Sequence, residues 1–219
     1  MRKMKCSELV LDFDLYPRAD VDSQHVSSIA QARAAGAELP PVVICKKTKR
    51  VVDGFHRIRA EQRLNKENAE VEVVEKSYRN DRELFLDAMR YNSSHGRTLT
   101  TYDRAHCAIR AANLGIDDEA VAGVLHVSAD YIGSLRVDRS AVSGGLHVPI
   151  KRTIQHMAGK KLSKEQVSAN DKLGGMHAVF YMNQLATLIE SKLLDLENPK
   201  VMESLKRLHE LLEGMLVST

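Results

Sequence analysis

The stretch Arg50-Val51-Val52-Asp53-Gly54-Phe55-His56-Arg57-Ile58-Arg59-Ala60 constrains the chain more than any other. It reads as a short apolar strand, a turn at Asp53-Gly54, and a helix with His56, Arg57 and Arg59 in its first turns. Glycine suits the turn because it accepts positive φ and lets a ligand approach the backbone. A helix opening there points its first N–H groups and the positive end of its dipole into the gap. Cations in that turn oppose the dipole, and they make sense beside an anion such as a phosphate. An ordinary strand-turn-helix with a solvated basic face carries the same residues, so both readings stand at this point.

Around this stretch the pattern is mixed. Residues 7–13 carry a strand signal, Tyr16-Pro17-Arg18 a turn, and residues 21–35 a helix closed by Gly36. A second strand, Val42-Val43-Ile44-Cys45, turns through Lys46-Lys47-Thr48-Lys49 to pair with Val51-Val52. A fourth strand is expected over residues 69–75 and a helix from Asp81 to Tyr91, with Leu84, Phe85, Ala88 and Met89 on one face. Neither Gly54 nor Arg57 has the look of a core position, so Gly54→Val and Arg57→Ala are expected to leave the fold intact.

From Thr98 the strand signals vanish and helix follows helix. Thr100 to Asp103 has capping-box spacing before a helix that ends at Gly115. Asp117 to Leu125, the connection His126-Val127-Ser128, and Ala129 to Arg136 describe a helix-turn-helix, with small Ala122 at the crossing. Ser128, Asp130, Tyr131, Ser134 and Arg136 fall on or near its outer face, where DNA would be read. A plain helical hairpin is the bland alternative. Residues 140–145 read as a small-residue linker, and Pro149 as the opening of a basic helix with Lys151, Arg152 and Lys160. A long helix over residues 176–196 and a last one after Asn198-Pro199 close the chain. Val201, Leu205, Leu208, Leu212 and Met215 form a heptad seam in the last helix, which favours a dimer contact over an intramolecular antiparallel hairpin.

Composition adds limits. The net charge of +3 means that any basic patch is local. The three cysteines lack metal-ligand spacing and fit reduced thiols in a cytoplasmic protein. No apolar run follows the basic start, so neither a secretory signal nor a membrane span is expected.

The segment Val52-Asp53-Gly54-Phe55-His56-Arg57-Ile58-Arg59-Ala60 resembles the Gly-x-x-Arg-x-x-Ala box of ParB-like N-terminal domains. Tyr16-Pro17-Arg18 and Pro40-Pro41-Val42-Val43 resemble that family's opening turn and second strand. Tyr91-Asn92-Ser93-Ser94-His95-Gly96 stands where the family has an Asn-containing second box before its helix-turn-helix. With His95-Gly96 and Leu99-Thr100 the closest likeness is to ParB-like regulators of the StrR type. The resemblance covers roughly residues 8 to 137.

It implies an α+β domain of ParB/sulfiredoxin-like fold over 1–95 and an all-α helix-turn-helix domain over 96–165, and the seam of the last helix adds a helical dimerisation segment over 172–219. The implied function is sequence-specific binding of double-stranded DNA by a homodimer, for plasmid or chromosome partition or for transcription regulation. A partition ATPase is the further partner on the first use, and the location is the cytoplasm, on the nucleoid or a plasmid. The boxes imply CTP with magnesium as a switch, held by Gly54, His56, Arg57, Arg59, Asn92 and His95, with Asn92 reaching the metal through the nucleotide. Weak CTPase activity goes with that site, although no catalytic residue stands out. His56 and His95 replace arginines of the partition proteins. Neutral imidazole supplies neither charge nor a fork of donors, so phosphate binding weakens unless protonation restores the charge. The alternative from relatives of the same fold is a phosphotransferase acting on a small molecule, with Asp53 as its base. Sulfiredoxin chemistry is excluded, because Phe55 stands where the cysteine is required.

Overall fold

The computed structural model describes residues 2–94 and 98–217, and the chain divides into two compact units, Met1–Gly175 and Met176–Thr219. The first is built on a four-stranded sheet of β1 (Arg2–Lys5), β2 (Val42–Cys45), β3 (Val51–Asp53) and β4 (Glu70–Lys76), in the order β1-β4-β2-β3. β2 runs parallel to β4, and the other two pairings are antiparallel. The parallel pairing needs a crossover. It is supplied by α2 (Phe55–Asn65), which opens at Gly54 directly after β3.

Alternation along the strands sends side chains to two cores. Val42, Ile44 and Val51 pack with Phe55, Ile58 and Tyr16 on one face. Val43, Cys45 and Val52 pack on the other against Leu84, Phe85 and Met89 of α3 (Asp81–Ser94). That second core continues without a break into α4 (Thr101–Asn113), α5 (Asp118–Leu125) and α6 (Ala129–Asp138), taking in Ala108, Leu125 and Ile132. α1 (Ser23–Ala34) packs on α2 through Val26, Ala30 and Ala60.

Two strand expectations change. Residues 7–13 form no strand: β1 lies earlier, Cys6–Glu8 make a 3-10 turn, and Val10 makes only an isolated bridge to Arg50. Met4, facing Val71 across the β1–β4 pair, is buried, while Val10 is exposed. The supposed linker at 140–145 is instead half of a hairpin, β5 (Ser140–Ser143) and β6 (Leu146–Pro149). Gly144 and Gly145 turn it with φ of 59° and 82°. Positive φ at both central residues is what a tight two-residue hairpin demands. Pro149 therefore ends a strand, and a 3-10 segment, Arg152–Met157, follows in place of the expected helix. α7 (Lys164–Lys172) closes the first unit.

In the second unit, α8 (Ala178–Glu190) is shorter than the expected 176–196, while α9 (Pro199–Leu216) starts where the Asn198-Pro199 signal puts it. The Asn198 side chain accepts from the Lys200 N–H. Neither helix buries a residue completely. Along the seam, Val201, Leu205 and Leu208 are half-buried, and Leu212 and Met215 are exposed.

Gly54 proves to be a packing position. It is buried with φ of 115°, and a Cβ there would lie 2.8 Å from Cγ2 of Val42, in the central strand. Gly54→Val is thus a stability variant, contrary to the sequence expectation. Even Gly54→Ala combines left-handed strain with that collision and is expected to cost about 1–3 kcal/mol. Urea unfolding reads it as a lower midpoint at unchanged slope, and a loss below about 0.5 kcal/mol would show that Val42 gives way freely.

Candidate functional site

The turn at Gly54 forms one wall of a cleft of about 680 Å³. α1 contributes His25 and Ile29, the chain before β2 contributes Pro40 and Pro41, and the end of α3 contributes Asn92. Gly54, His56, Arg57 and Asn92, expected to act together, do meet here. Arg59 does not line the cleft. It is exposed, and its Nη1 donates to Oε1 of Gln62. His95 lies outside the described residues.

The hydrogen bonds give these groups structural employment. Nη1 of Arg57 donates to the carbonyls of Pro40 (2.7 Å) and Pro41 (2.8 Å), and its Nη2 pairs with the Asp53 carboxylate. Arg57 thereby staples the 40–41 segment to the start of α2, and Asp53, the candidate base, is tied to a guanidinium. On His56, Nε2 accepts from the Asp22 backbone N–H (3.2 Å), and the Tyr16 hydroxyl lies 3.4 Å from Nδ1. An accepting Nε2 assigns the ring proton to Nδ1, which donates to the phenol oxygen. Nε2 therefore already has a backbone donor facing it.

Asn92 is buried, with Oδ1 accepting from Nε of Arg18 (3.1 Å) and Nδ2 donating to the Ala88 carbonyl (2.9 Å). Arg18 also stands 4.0 Å from Asp103, at the start of α4. Tyr16 stacks on Phe55 at 4.1 Å between ring centroids, and burial pushes its phenol well above the usual range. Sequence reasoning placed Tyr16 and Arg18 in a turn and missed that they complete the cleft. His25, whose ring meets His56 edge-on at 4.9 Å, left no signal at all.

The second candidate surface is built from α5 and α6. Asp117 caps α5 by accepting from Ala120 N–H, His126 ends it with φ of 54°, and Ser128 caps α6 by accepting from Tyr131 N–H at 3.2 Å. Val121, Ala122 and Leu125 bury the α5 face against Ile132 and Leu135. Ser128, Asp130 and Ser134 are exposed, and Tyr131 is half-buried. The Ser134 hydroxyl donates to the Tyr131 carbonyl. Arg136 reaches back to Asp118 on α5, holding the two helices together.

No family model matches the chain. It is 31% identical over 170 residues to a possible regulatory protein of the streptomycin biosynthesis operon of Streptomyces griseus, a match covering 74% of this chain and 47% of that protein. It is 30% identical over 130 residues to the transcriptional regulator NovG of Streptomyces niveus, covering 58% of this chain and 39% of that one. The chain thus spans about half the length of the curated relatives it matches, or less. Among solved structures it is similar to the C-terminally truncated chromosome-partitioning protein ParB of Caulobacter crescentus complexed to the centromeric parS site. That match has 16% identity, covers 63% of this chain and 71% of that one, and has a TM-score of 0.44.

On α4, His106 is 7% exposed and hydrogen-bonds the Tyr16 main chain, and its Nε2 has no partner among the described residues. Burial, helped by the nearby Arg110, lowers its pKa from 6.5 to about 4. The folded state therefore holds the ring neutral while the unfolded chain takes up a proton below pH 6.5. Stability from this residue is fully present above pH 6.5 and falls as the pH drops toward 4, by up to roughly 3 kcal/mol. Urea unfolding at pH 7 and pH 4.5 should show His106→Asn losing less stability on acidification than the natural protein. Equal losses would mean that His106 has room to ionise in place.

Proposed function

We propose that this chain, a relative of the ParB-like regulators of the StrR and NovG type, is a sequence-specific DNA-binding protein that regulates transcription. The observation that carries the reading is the α5–α6 pair: two short capped helices, a three-residue connection, and an outer face kept out of the core. Such a pair lays its second helix in the major groove. Ser128, Asp130, Tyr131, Ser134 and Arg136 are then the residues at or near the bases. Both regulatory relatives favour transcription over partition, and a partition ATPase would be the partner only on the second use. The apolar seam of α9, exposed at Leu212 and Met215, supports a homodimer, since exposed apolar surface marks an interface. A dimer reads a near-palindromic site. A cytoplasmic location follows from the reading, and no helix among the described residues is long and apolar enough to cross a membrane.

Selection of bound duplexes from a random pool, followed by gel shift, tests this. A near-palindromic site bound by two chains is expected, with Tyr131→Ala plus Ser134→Ala lowering specific binding by at least tenfold and non-specific binding little. Failure to enrich any sequence, or a double variant that binds like the natural protein, would overturn it.

Within this reading the cleft holds a nucleotide, CTP with magnesium, against Gly54, Arg57 and Asn92, with Asn92 toward the metal. The support is the meeting of the two boxes on one cleft. A triphosphate must there displace Asp53 and the Pro40 and Pro41 carbonyls from Arg57. Titration calorimetry of the full chain with CTP, ATP and GTP, each with magnesium, at pH 6 and pH 8, tests the ligand. Heat with one nucleotide is expected, and Arg57→Ala should weaken it by one to two decades, the worth of a charge-assisted bond of roughly 1.5–3 kcal/mol. No heat from any nucleotide, on protein that still binds DNA, would mean that the cleft has another use.

A further inference from the structure

We propose that the β5–β6 hairpin, together with the 159–162 segment bonded along the edge of β5, is a second DNA-contacting element, a β-ribbon beside α6 that binds the phosphate backbone through Lys160 and Lys161 of that segment. The inference rests on the DNA-binding reading above and goes beyond it, because nothing in a helix-turn-helix requires such a ribbon.

The first argument is charge. Phosphate neutralisation by lysine and arginine supplies most of the sequence-independent affinity for DNA. α6 is poorly equipped for it: Asp130 and Asp138 are exposed, and Arg136, its one cation, is engaged by Asp118. Cations are therefore needed from a neighbouring element. The next segment supplies them, with Arg152, Lys160, Lys161 and Lys164 all exposed.

The second argument is rigidity. β5 follows α6 after one residue, Arg139, whose N–H donates to the Leu135 carbonyl and whose own carbonyl accepts from Ile150 N–H (2.8 Å). β6 is fastened to α4 as well, since the Asn113 side chain donates to the His147 carbonyl (2.8 Å) and accepts from His147 N–H (3.3 Å). Residues 159–162 then run along the free edge of β5. Val142 N–H donates to the Lys160 carbonyl (2.9 Å), and Leu162 N–H to the Val142 carbonyl (2.8 Å). Val142 thus has His147 on one side and Lys161 on the other. Ala141, Ile150 and Leu162 give the ribbon its own buried core. Two lysines on a hydrogen-bonded edge lose less freedom on meeting a phosphate than two on a loop.

The third argument is the shape of the tip. A two-stranded ribbon fits a DNA groove. Gly144 and Gly145 leave the turn without side chains or carboxylates, and Leu146 beside them is 59% exposed. An apolar residue at such a tip suits contact with sugar edges or a base step.

Fluorescence anisotropy with a 40-base-pair duplex of random sequence, over a salt series upward from 50 mM, decides the matter. The pair Lys160→Gln and Lys161→Gln should lower the slope of log affinity against log salt by about 1.8, roughly 0.9 for each lost phosphate contact. Lys46→Gln with Lys47→Gln, in the β2–β3 turn, should leave it unchanged. Leu146→Glu, which sets a carboxylate at the tip, should weaken binding at 50 mM salt about tenfold or more. Melting curves confirm that each variant is folded. If the natural protein binds and both the lysine pair and Leu146→Glu bind as it does, the ribbon proposal is overturned and the DNA-binding reading stands. If the natural protein does not bind the duplex even at the lowest salt, the reading falls and the ribbon with it.

Discussion

Asp103 is the residue on which the first unit depends. It is 7% exposed, and its two oxygens serve separate segments. Oδ2 accepts from the N–H and hydroxyl of Thr100, closing the capping box of α4, and Oδ1 accepts from the Ala19 N–H at 3.0 Å. Arg18 stands beside it at 4.0 Å and holds Asn92 in turn. One buried carboxylate thereby ties the segment before α1 to the first turn of α4, and Arg18 links them to Asn92 in the last turn of α3. Removing the Asp103 carboxylate would leave the Thr100 and Ala19 N–H groups without their acceptor, at about 1–3 kcal/mol for each buried donor. The cleft and the helical layer are built around this contact.

The continuous apolar core gives that contact its reach. α3 packs by Phe85 and Met89 against the sheet and against the helices that lead to α6. Its last residues face two ways. Asn92 enters the cleft, and the Ser93 hydroxyl donates to the Val124 carbonyl of α5 at 2.9 Å. A shift at the end of α3 is therefore felt by the cleft and by α5 together, with no intervening loop to absorb it.

Local signals were legible in the sequence, and partners distant along the chain were not. The Thr100 capping box, the Asn198-Pro199 start of α9 and the α5–α6 connection depend on residues within four positions of one another, and each stands where it was read. The role of Asp103 toward Ala19 is a contact across 84 positions, invisible to any window. The hairpin was missed because Gly144-Gly145 has the same composition as a linker. What separates the two is the alternation of Ala141, Val148 and Ile150 into a shared core. In the site, Gly54, His56, Arg57 and Asn92 meet on one cleft as the sequence suggested, while the bonds from Arg57 to the Pro40 and Pro41 carbonyls, 17 and 16 positions away, were not legible.

That employment determines how the cleft can respond. Arg57 and Asp53 neutralise each other, and Arg18 has Asp103 beside it. Among the described residues two guanidinium groups line the cleft, Arg57 paired with Asp53 and Arg18 beside Asp103, so an anion there competes with carboxylates already in place. A triphosphate entering it meets the Asp53 carboxylate at close range, which is unfavourable unless a divalent ion comes with it or Arg57 changes partners. Once Arg57 turns to a phosphate, the Pro40 and Pro41 carbonyls lose their donor and the segment leading into β2 is released from α2. Anion binding and loop release are then one event. An uncharged ligand seated on Ile29, Pro40 and Tyr16 would leave the staple closed, so the state of the 40–41 segment distinguishes the two kinds of occupant.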